Sequence, residues 1–134
     1  MTRIQEVEGI GPAYEAKLAE VGIETVEVLL ERGASPQGRK QLVESTGISA
    51  KLILKWVNRA DLARVKGVGE EYADLLELAG VDTVPELAQR NPQNLHQKMV
   101  ELNDERQVVR RTPSLSAVQD WVAQAKELGR VITY

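Results

Sequence analysis

Apolar residues recur at intervals of three and four along most of this chain, which is the spacing of helices with one buried face. Two segments with this spacing each contain a tryptophan: Leu52, Ile53, Trp56 and Val57, and later Val118, Trp121, Val122 and Ala125. The pattern predicts an all-α fold.

Several helix starts are indicated by a side chain that can accept hydrogen bonds from the first backbone N–H groups of a helix. In three places such a residue precedes a proline, which suits the first helical position: Ser35-Pro36, Asn91-Pro92 and Thr112-Pro113. Ser49 is the expected cap of the helix that contains Trp56.

A segment near the start of the chain is repeated. Segment Ile4–Leu29 returns 58 residues later as Leu62–Leu87, with nine of 26 aligned positions identical. The tryptophan helices repeat as well, although Trp56 and Trp121 are 65 residues apart, so the second copy has about seven extra residues around 102–112. This self-similarity predicts a tandem duplication, with a first repeat over 1–61 and a second over 62–134.

A repeat of about 55 residues buries too little apolar surface to be comfortably stable alone. We therefore expect the two repeats to pack about an approximate two-fold axis, as one compact pseudo-two-fold domain with a shared core. Since the chain has no phenylalanine and 43% hydrophobic residues, Leu, Val, Ile and Ala must form most of that core.

Each copy contains a glycine-bracketed turn between two helices: Gly9-Ile10-Gly11 in the first and Gly67-Val68-Gly69 in the second. Glycines two positions apart permit a tight turn that residues with a Cβ would resist. The aliphatic residue between them anchors the turn from inside. Tyr14 and Tyr72 follow at equivalent positions and are expected to pack against the turns.

This hydrophobic-x-Gly-hydrophobic-Gly pattern resembles the helix-hairpin-helix superfamily. Over its full length the chain is similar to a bacterial family of tandem helix-hairpin-helix proteins, domain of unknown function 4332. The resemblance implies that the hairpin N–H groups and the following helix N-terminus hold a phosphate oxygen of DNA without reading its sequence.

Composition excludes several other classes of protein. Without cysteine there is no disulfide framework and no cysteine-bearing metal site, and no apolar run approaches the length of a membrane span. Nor does the N-terminus resemble a secretory signal. We therefore expect a cytoplasmic protein with no membrane partner and no cofactor.

Charge is distributed unevenly around a net value of −3, and residues 39–66 contain seven basic and two acidic side chains. Lys51, Lys55 and Arg59 are spaced to lie along one face of a helix. Arg64 and Lys66 lead directly into the second hairpin, although Glu70 and Glu71 follow it and would occupy the site electrostatically if they complement the helix N-terminus. The predicted DNA-phosphate site therefore combines these five side chains with the backbone N–H groups of Gly67, Val68 and Gly69.

The first hairpin, Gly9-Ile10-Gly11, is predicted to be the weaker phosphate site. Glu6, Glu8 and Glu15 flank it and would repel an anion, and Pro12 removes one backbone N–H. Either hairpin has an alternative interpretation, in which the glycines only permit a tight connection and bind nothing. Lys51, Lys55 and Arg59 likewise have an alternative interpretation, in which they form an ordinary solvated helix face.

Enzymatic activity is not expected, because no nucleophile motif, phosphate-binding loop with lysine or metal-ligand cluster is present. We expect no catalytic residues and no metal site, and His96, the only histidine, is interpreted as a solvated helix residue. Two hypotheses follow. The first is a non-sequence-specific module that binds double-stranded DNA weakly and in a salt-dependent manner. The alternative is a scaffold for protein interaction or self-association that has lost nucleic-acid binding.

Overall fold

The computed structural model describes residues 3–7 and 9–134, which form eight α-helices and one turn of 3-10 helix at Ile4–Glu6. The helices are α1 (Pro12–Glu20), α2 (Val26–Gly33), α3 (Pro36–Thr46), α4 (Ala50–Leu62), α5 (Glu70–Leu78), α6 (Val84–Ala88), α7 (Pro92–Arg106) and α8 (Leu115–Leu128). Within these residues the only β-type pairing is an isolated bridge between Arg3 and Thr25. The predicted all-α fold is confirmed.

The chain divides into two units, Met1–Asp61 with Val131–Tyr134, and Leu62–Arg130. Helices α1 to α4 belong to the first unit and α5 to α8 to the second, except that the last residue of α4, Leu62, belongs to the second. The sequence-based division assigned the last four residues to the second repeat, whereas the structure packs them on the first.

Each unit has its own cluster of buried apolar side chains. Equivalent positions of the two copies are buried alike: Leu18 and Leu76 have no exposed surface, and neither have Leu29 and Leu87. A single core shared by both units, expected from the sequence, stays a prediction.

Three of the four helix starts begin as predicted. The side chains of Ser35, Ser49 and Asn91 accept hydrogen bonds from backbone N–H groups three residues later, at 3.0 to 3.2 Å. Each bond satisfies a donor that has no partner inside its helix.

The fourth start was predicted at Thr112-Pro113 and is wrong by two residues. Helix α8 begins at Leu115, and Ser114 is its cap, with Oγ accepting from the N–H of Ala117 at 3.0 Å. Ser114 is itself a strong capping residue, so Pro113 is left in the preceding loop, where it is buried.

The extra residues of the second copy lie where α7 meets α8. Helix α7 has 15 residues against 11 in α3, and the loop that follows it is longer than the one after α3. The Asn103 side chain holds this loop: its amide donates to the carbonyl of Val109 at 3.1 Å and accepts from the same residue's N–H at 2.9 Å. The insertion is therefore a structured part of the second unit.

Two arginines at equivalent positions stabilise helix ends. Arg32 donates to the carbonyl of Val21 at 2.9 Å, beyond α1, and Arg90 donates to the carbonyl of Ala79 at 3.0 Å, beyond α5. Both carbonyls are at a helix C-terminus, where a cation is favoured by the helix dipole. These charges therefore have structural roles in both copies.

The final residues pack against the first unit. Ile132 is 2% exposed within its core, and Thr133 donates from its backbone to the carbonyl of Ala34 at 2.7 Å. Arg39 binds the carbonyl of Thr133 at 2.8 Å and lies over the ring of Tyr134.

Candidate functional site

The two glycine hairpins have the same backbone geometry. Gly9 and Gly67 have φ values of +93° and +97°, in the region that favours glycine. Gly11 and Gly69 are extended and precede α1 and α5, which have nine residues each. The duplicated sequence therefore folds into duplicated turns, each directly before a helix N-terminus.

The residue between the glycines anchors each turn from inside. Ile10 is 5% exposed and Val68 is 8% exposed. Their backbone N–H groups donate to the carbonyls of Val7 and Val65, at 3.1 and 3.2 Å. The middle N–H of each hairpin therefore already has an acceptor, which makes the Val68 amide a weaker candidate than those of the glycines, and its predicted role stays a prediction.

The N–H groups of the glycines remain without an acceptor. Gly9, Gly11, Gly67 and Gly69 are all exposed, and no acceptor in the described part of the chain takes a hydrogen bond from their backbone nitrogens. In each copy these donors adjoin the first turn of a helix, whose N–H groups have no intrahelical acceptor either. Such a group of donors favours an anion.

A tyrosine–tryptophan pair supports each hairpin. The rings of Tyr14 and Trp56 lie 5.1 Å apart between centroids, and those of Tyr72 and Trp121 lie 5.3 Å apart. Both tryptophans are buried, at 0% and 3% exposed. The predicted burial of the tryptophans is confirmed, and each tryptophan helix packs against the hairpin of its own unit.

The sequence of this chain matches the family model described as Domain of unknown function (DUF4332) over residues 8–128. The chain belongs to that family. No solved structure matches it.

In this DUF4332 protein, Lys66 is the predicted cation that the structure places best. Its side chain is exposed, next to Gly67. The side-chain amide of Gln124 fixes the Lys66 backbone, accepting from its N–H at 2.8 Å and donating to its carbonyl at 3.0 Å. Helix α8 therefore holds the entrance to the second hairpin in place.

Arg64 has a structural role that the sequence did not indicate. Its guanidinium donates to the carbonyls of Leu128 and Gly129, at 2.8 and 3.1 Å, at the end of α8. A phosphate at the hairpin would have to compete with these bonds. Arg64 is therefore a weaker candidate than Lys66.

The three basic residues of α4 do not form the exposed row predicted for them. Lys51 and Lys55 are exposed, but Arg59 is only 7% exposed. All three belong to the first unit of this DUF4332 chain, on the helix whose Trp56 packs against the first hairpin.

The first hairpin keeps the acidic surroundings that the sequence indicates. Glu6 is exposed and Glu15 is half-buried, and Pro12 is the first residue of α1. Glu8, the third predicted carboxylate, lies outside the described residues. The geometry of the first hairpin thus suits an anion, whereas the charges beside it do not.

Several residues near the second hairpin were missed from the sequence because they come from the insertion and α8. A cleft there is lined by Lys66, Gly67, Tyr72, His96, Arg111 and Asp120, among others. The Tyr72 hydroxyl donates to the carbonyl of Arg111 at 3.2 Å and so ties the inserted loop to α5. The only indication of these residues in the sequence was the extra length of the second copy.

His96 is half-buried, not simply solvated as predicted, and its Nε2–H donates to the carbonyl of Pro113 at 3.0 Å. Among the described residues, no group of three His, Asp or Glu side chains is placed to hold a metal ion. Over the same residues, none of the helices has the length and apolar character needed to cross a membrane.

Proposed function

We propose that this protein is a tandem helix-hairpin-helix module that binds the phosphate backbone of DNA, without sequence preference and without catalysis. The observation that carries the proposal is the exposed set of unpaired glycine N–H groups at the N-termini of α1 and α5. The approximate two-fold arrangement of the repeats expected from the sequence belongs to the same proposal.

The geometry favours a phosphate oxygen over other ligands for a physical reason. Backbone donors and the positive end of a helix dipole converge on the same point, and neither requires a side chain of a particular shape. Contacts of this kind position a protein on the backbone and carry no sequence information. An affinity in the micromolar range or weaker is expected at physiological salt.

The second hairpin is the principal site in this proposal. Lys66 is exposed directly before Gly67, and Arg111 lies in the adjoining cleft wall. At the first hairpin, Glu6 and Glu15 would raise the cost of bringing a phosphate near. Binding should therefore depend on the second unit more than on the first.

A scaffold without nucleic-acid binding is the second candidate, and the arginines favour it. Arg32, Arg64 and Arg90 donate to backbone carbonyls, and Arg59 is buried. The chain also has 20 acidic side chains against 17 basic ones, a balance that does not favour an extended phosphate contact. In this alternative the acidic and basic blocks would mediate association with proteins or with a second copy.

A salt-titrated binding assay with labelled duplex DNA tests the proposal. Two duplexes of unrelated sequence should bind with similar affinities, and Lys66→Glu should weaken both by about fivefold or more. Lys98→Glu is the matched control, because Lys98 is exposed on α7 of the same unit and does not line the cleft.

Two results would reject DNA binding as the function: no binding at low salt, or an affinity independent of salt. Equal effects of the two lysine variants would reject the second hairpin as the principal site. Sedimentation velocity of the same samples then tests the scaffold, which requires association of the chain with itself or with a protein. A strong preference for one duplex would reject the backbone-only mode.

A further inference from the structure

The cleft beside the second hairpin has the size of a small-molecule site. Its volume is about 710 Å³, within the range of about 300–1,000 Å³ typical of ligand pockets. The hairpin contributes Lys66 and Gly67 to its wall, and the inserted loop contributes Arg111. All of these residues belong to the second unit.

Trp121 brings an unpaired donor to this cleft. The residue is 3% exposed and lines the cleft, and no acceptor in the described part of the chain takes a hydrogen bond from its indole N–H. A Cβ added to Gly67 would lie 2.9 Å from Nε1, so the glycine avoids a clash with the indole nitrogen at this position. Unlike the Trp56 nitrogen, which is buried without a partner, the Trp121 nitrogen keeps some accessible surface, so an acceptor on a ligand in the cleft can reach its N–H.

The charged groups of the cleft suit an anionic acceptor. Lys66 and Arg111 are positive, and Asp120 is the opposing carboxylate. The amide of Gln124 donates to Asp120 at 2.8 Å, while the Nε2–H of His96 is directed at the carbonyl of Pro113. One net positive charge therefore remains beside the indole donor.

Apolar side chains form a further part of the wall and are partly exposed. Tyr72 is half-buried against Trp121, and Leu115, at the start of α8, is 36% exposed. An aromatic ring next to an exposed aliphatic side chain suits the flat face of a nucleobase, which stacks on such surfaces whatever its identity. A base paired inside a duplex does not present that face.

We propose that this cleft holds one nucleotide with an unpaired base. Lys66, Arg111 and the indole N–H of Trp121 bind its phosphate, and Tyr72 and Leu115 contact its base. The inference rests on the proposed function, because it assumes that the ligand is a nucleic acid. It adds a preference for strand ends or single strands over duplex. It is confined to the second unit, because the loop that supplies Arg111 corresponds only to residues 47–49 in the first.

The two indole N–H resonances of the ¹⁵N-labelled protein test this inference directly. Titration with deoxyadenosine monophosphate should shift the Trp121 signal in a saturable manner and leave that of Trp56 in place, since the Trp56 nitrogen is fully buried. Trp121→Phe assigns the signals. Inorganic phosphate and deoxyadenosine, each supplying half of the contacts, should bind about tenfold more weakly than the nucleotide.

Charge variants separate the cleft from the protein as a whole. Lys66→Gln and Arg111→Gln should each weaken nucleotide binding about tenfold, whereas Asp120→Asn should strengthen it and Lys98→Gln should leave it unchanged. A single-stranded oligonucleotide with a 5′-phosphate, compared with the same strand lacking it, distinguishes a strand end from a free nucleotide as the source. The strand with the phosphate should bind more tightly.

A nucleotide titration that leaves the Trp121 resonance unmoved overturns the inference, as does an equal shift of both indole signals. Neither result affects the proposed backbone contact if duplex binding still depends on Lys66. Conversely, a nucleotide-dependent shift of Trp121 without any duplex binding would reject the proposed function and keep the cleft site.

Discussion

Gly67 lies directly against the indole nitrogen of Trp121, so closely that a Cβ added to the glycine would come within 2.9 Å of Nε1. Gly9 and Trp56 have the same relationship in the first unit, at 3.3 Å. Each hairpin is therefore held by the tryptophan helix of its own unit. Glycine is required at this position for two reasons: the backbone has a positive φ, and the tryptophan ring leaves no room for a Cβ.

Gly67→Ala should destabilise the protein by about 1–3 kcal/mol more than Gly69→Ala. The first change adds a methyl group against Trp121 and places alanine at a φ of +97°, whereas a Cβ at Gly69 meets nothing within 4 Å. Urea denaturation of the two variants measures the difference. Equal losses of stability would show that the hairpin relaxes away from the ring.

Ile132→Ala should destabilise the first unit by about 2–4 kcal/mol, although the residue is near the end of the chain. The reason is that Ile132 is 2% exposed in the core of that unit. Amide hydrogen exchange should show faster opening of α2 and α3. Val131→Ala is the control, since Val131 is 38% exposed and should change little. Unchanged exchange in the Ile132 variant would mean that the terminal segment does not support the first unit.

Arg64→Gln should lower the free energy of unfolding by about 1 kcal/mol, because the guanidinium bonds to the carbonyls of Leu128 and Gly129 are partly exposed. Lys66→Gln should leave stability unchanged, since its side chain is exposed. Thermal unfolding of both variants checks this assignment. The opposite order would mean that Lys66, and not Arg64, is the structural cation.

The hairpins, their inward-facing aliphatic residues and the tryptophan helices could be predicted because each depends on local sequence. A Gly-x-Gly turn and an apolar face at helical spacing are determined by residues a few positions apart. Whether a basic side chain is exposed could not be predicted from local sequence in the same way. Arg59 is on the same helix face as Lys51 and Lys55, yet it is buried, which the helical spacing of the three residues does not indicate.

The cleft could not be predicted for the same reason. Arg111 follows Gly67 by 44 positions, and only the folded insertion brings it to the same wall. From the sequence, the longer spacing in the second copy showed only that residues had been inserted, not where they would pack. The start of α8 was predicted two residues too early because Ser114, a strong capping residue, takes the role expected of Thr112.

Charge reversal should separate the two hairpins. Lys66→Glu places a carboxylate beside Gly67, where the proposed phosphate binds, and should weaken DNA binding several-fold more than Arg3→Glu does. Arg3 is exposed in the first unit, where Glu6 and Glu15 already oppose an anion. Anisotropy titrations of both variants at one fixed salt concentration provide the comparison. Equal losses would show that both hairpins contribute alike and that their different surroundings do not matter.

Trp56→Ala and Trp121→Ala should each destabilise the whole chain by about 3–5 kcal/mol, because both rings are buried. We expect one cooperative unfolding transition, since α4 contributes Val57 and Ala60 to the first cluster of buried side chains and Leu62 to the second. The return of Ile132 to the first unit adds a further covalent link. Calorimetry together with circular dichroism should therefore show a single transition that both substitutions shift. Two separate transitions, each moved by only one substitution, would show that the units fold independently, and the expectation of one shared core would then be wrong.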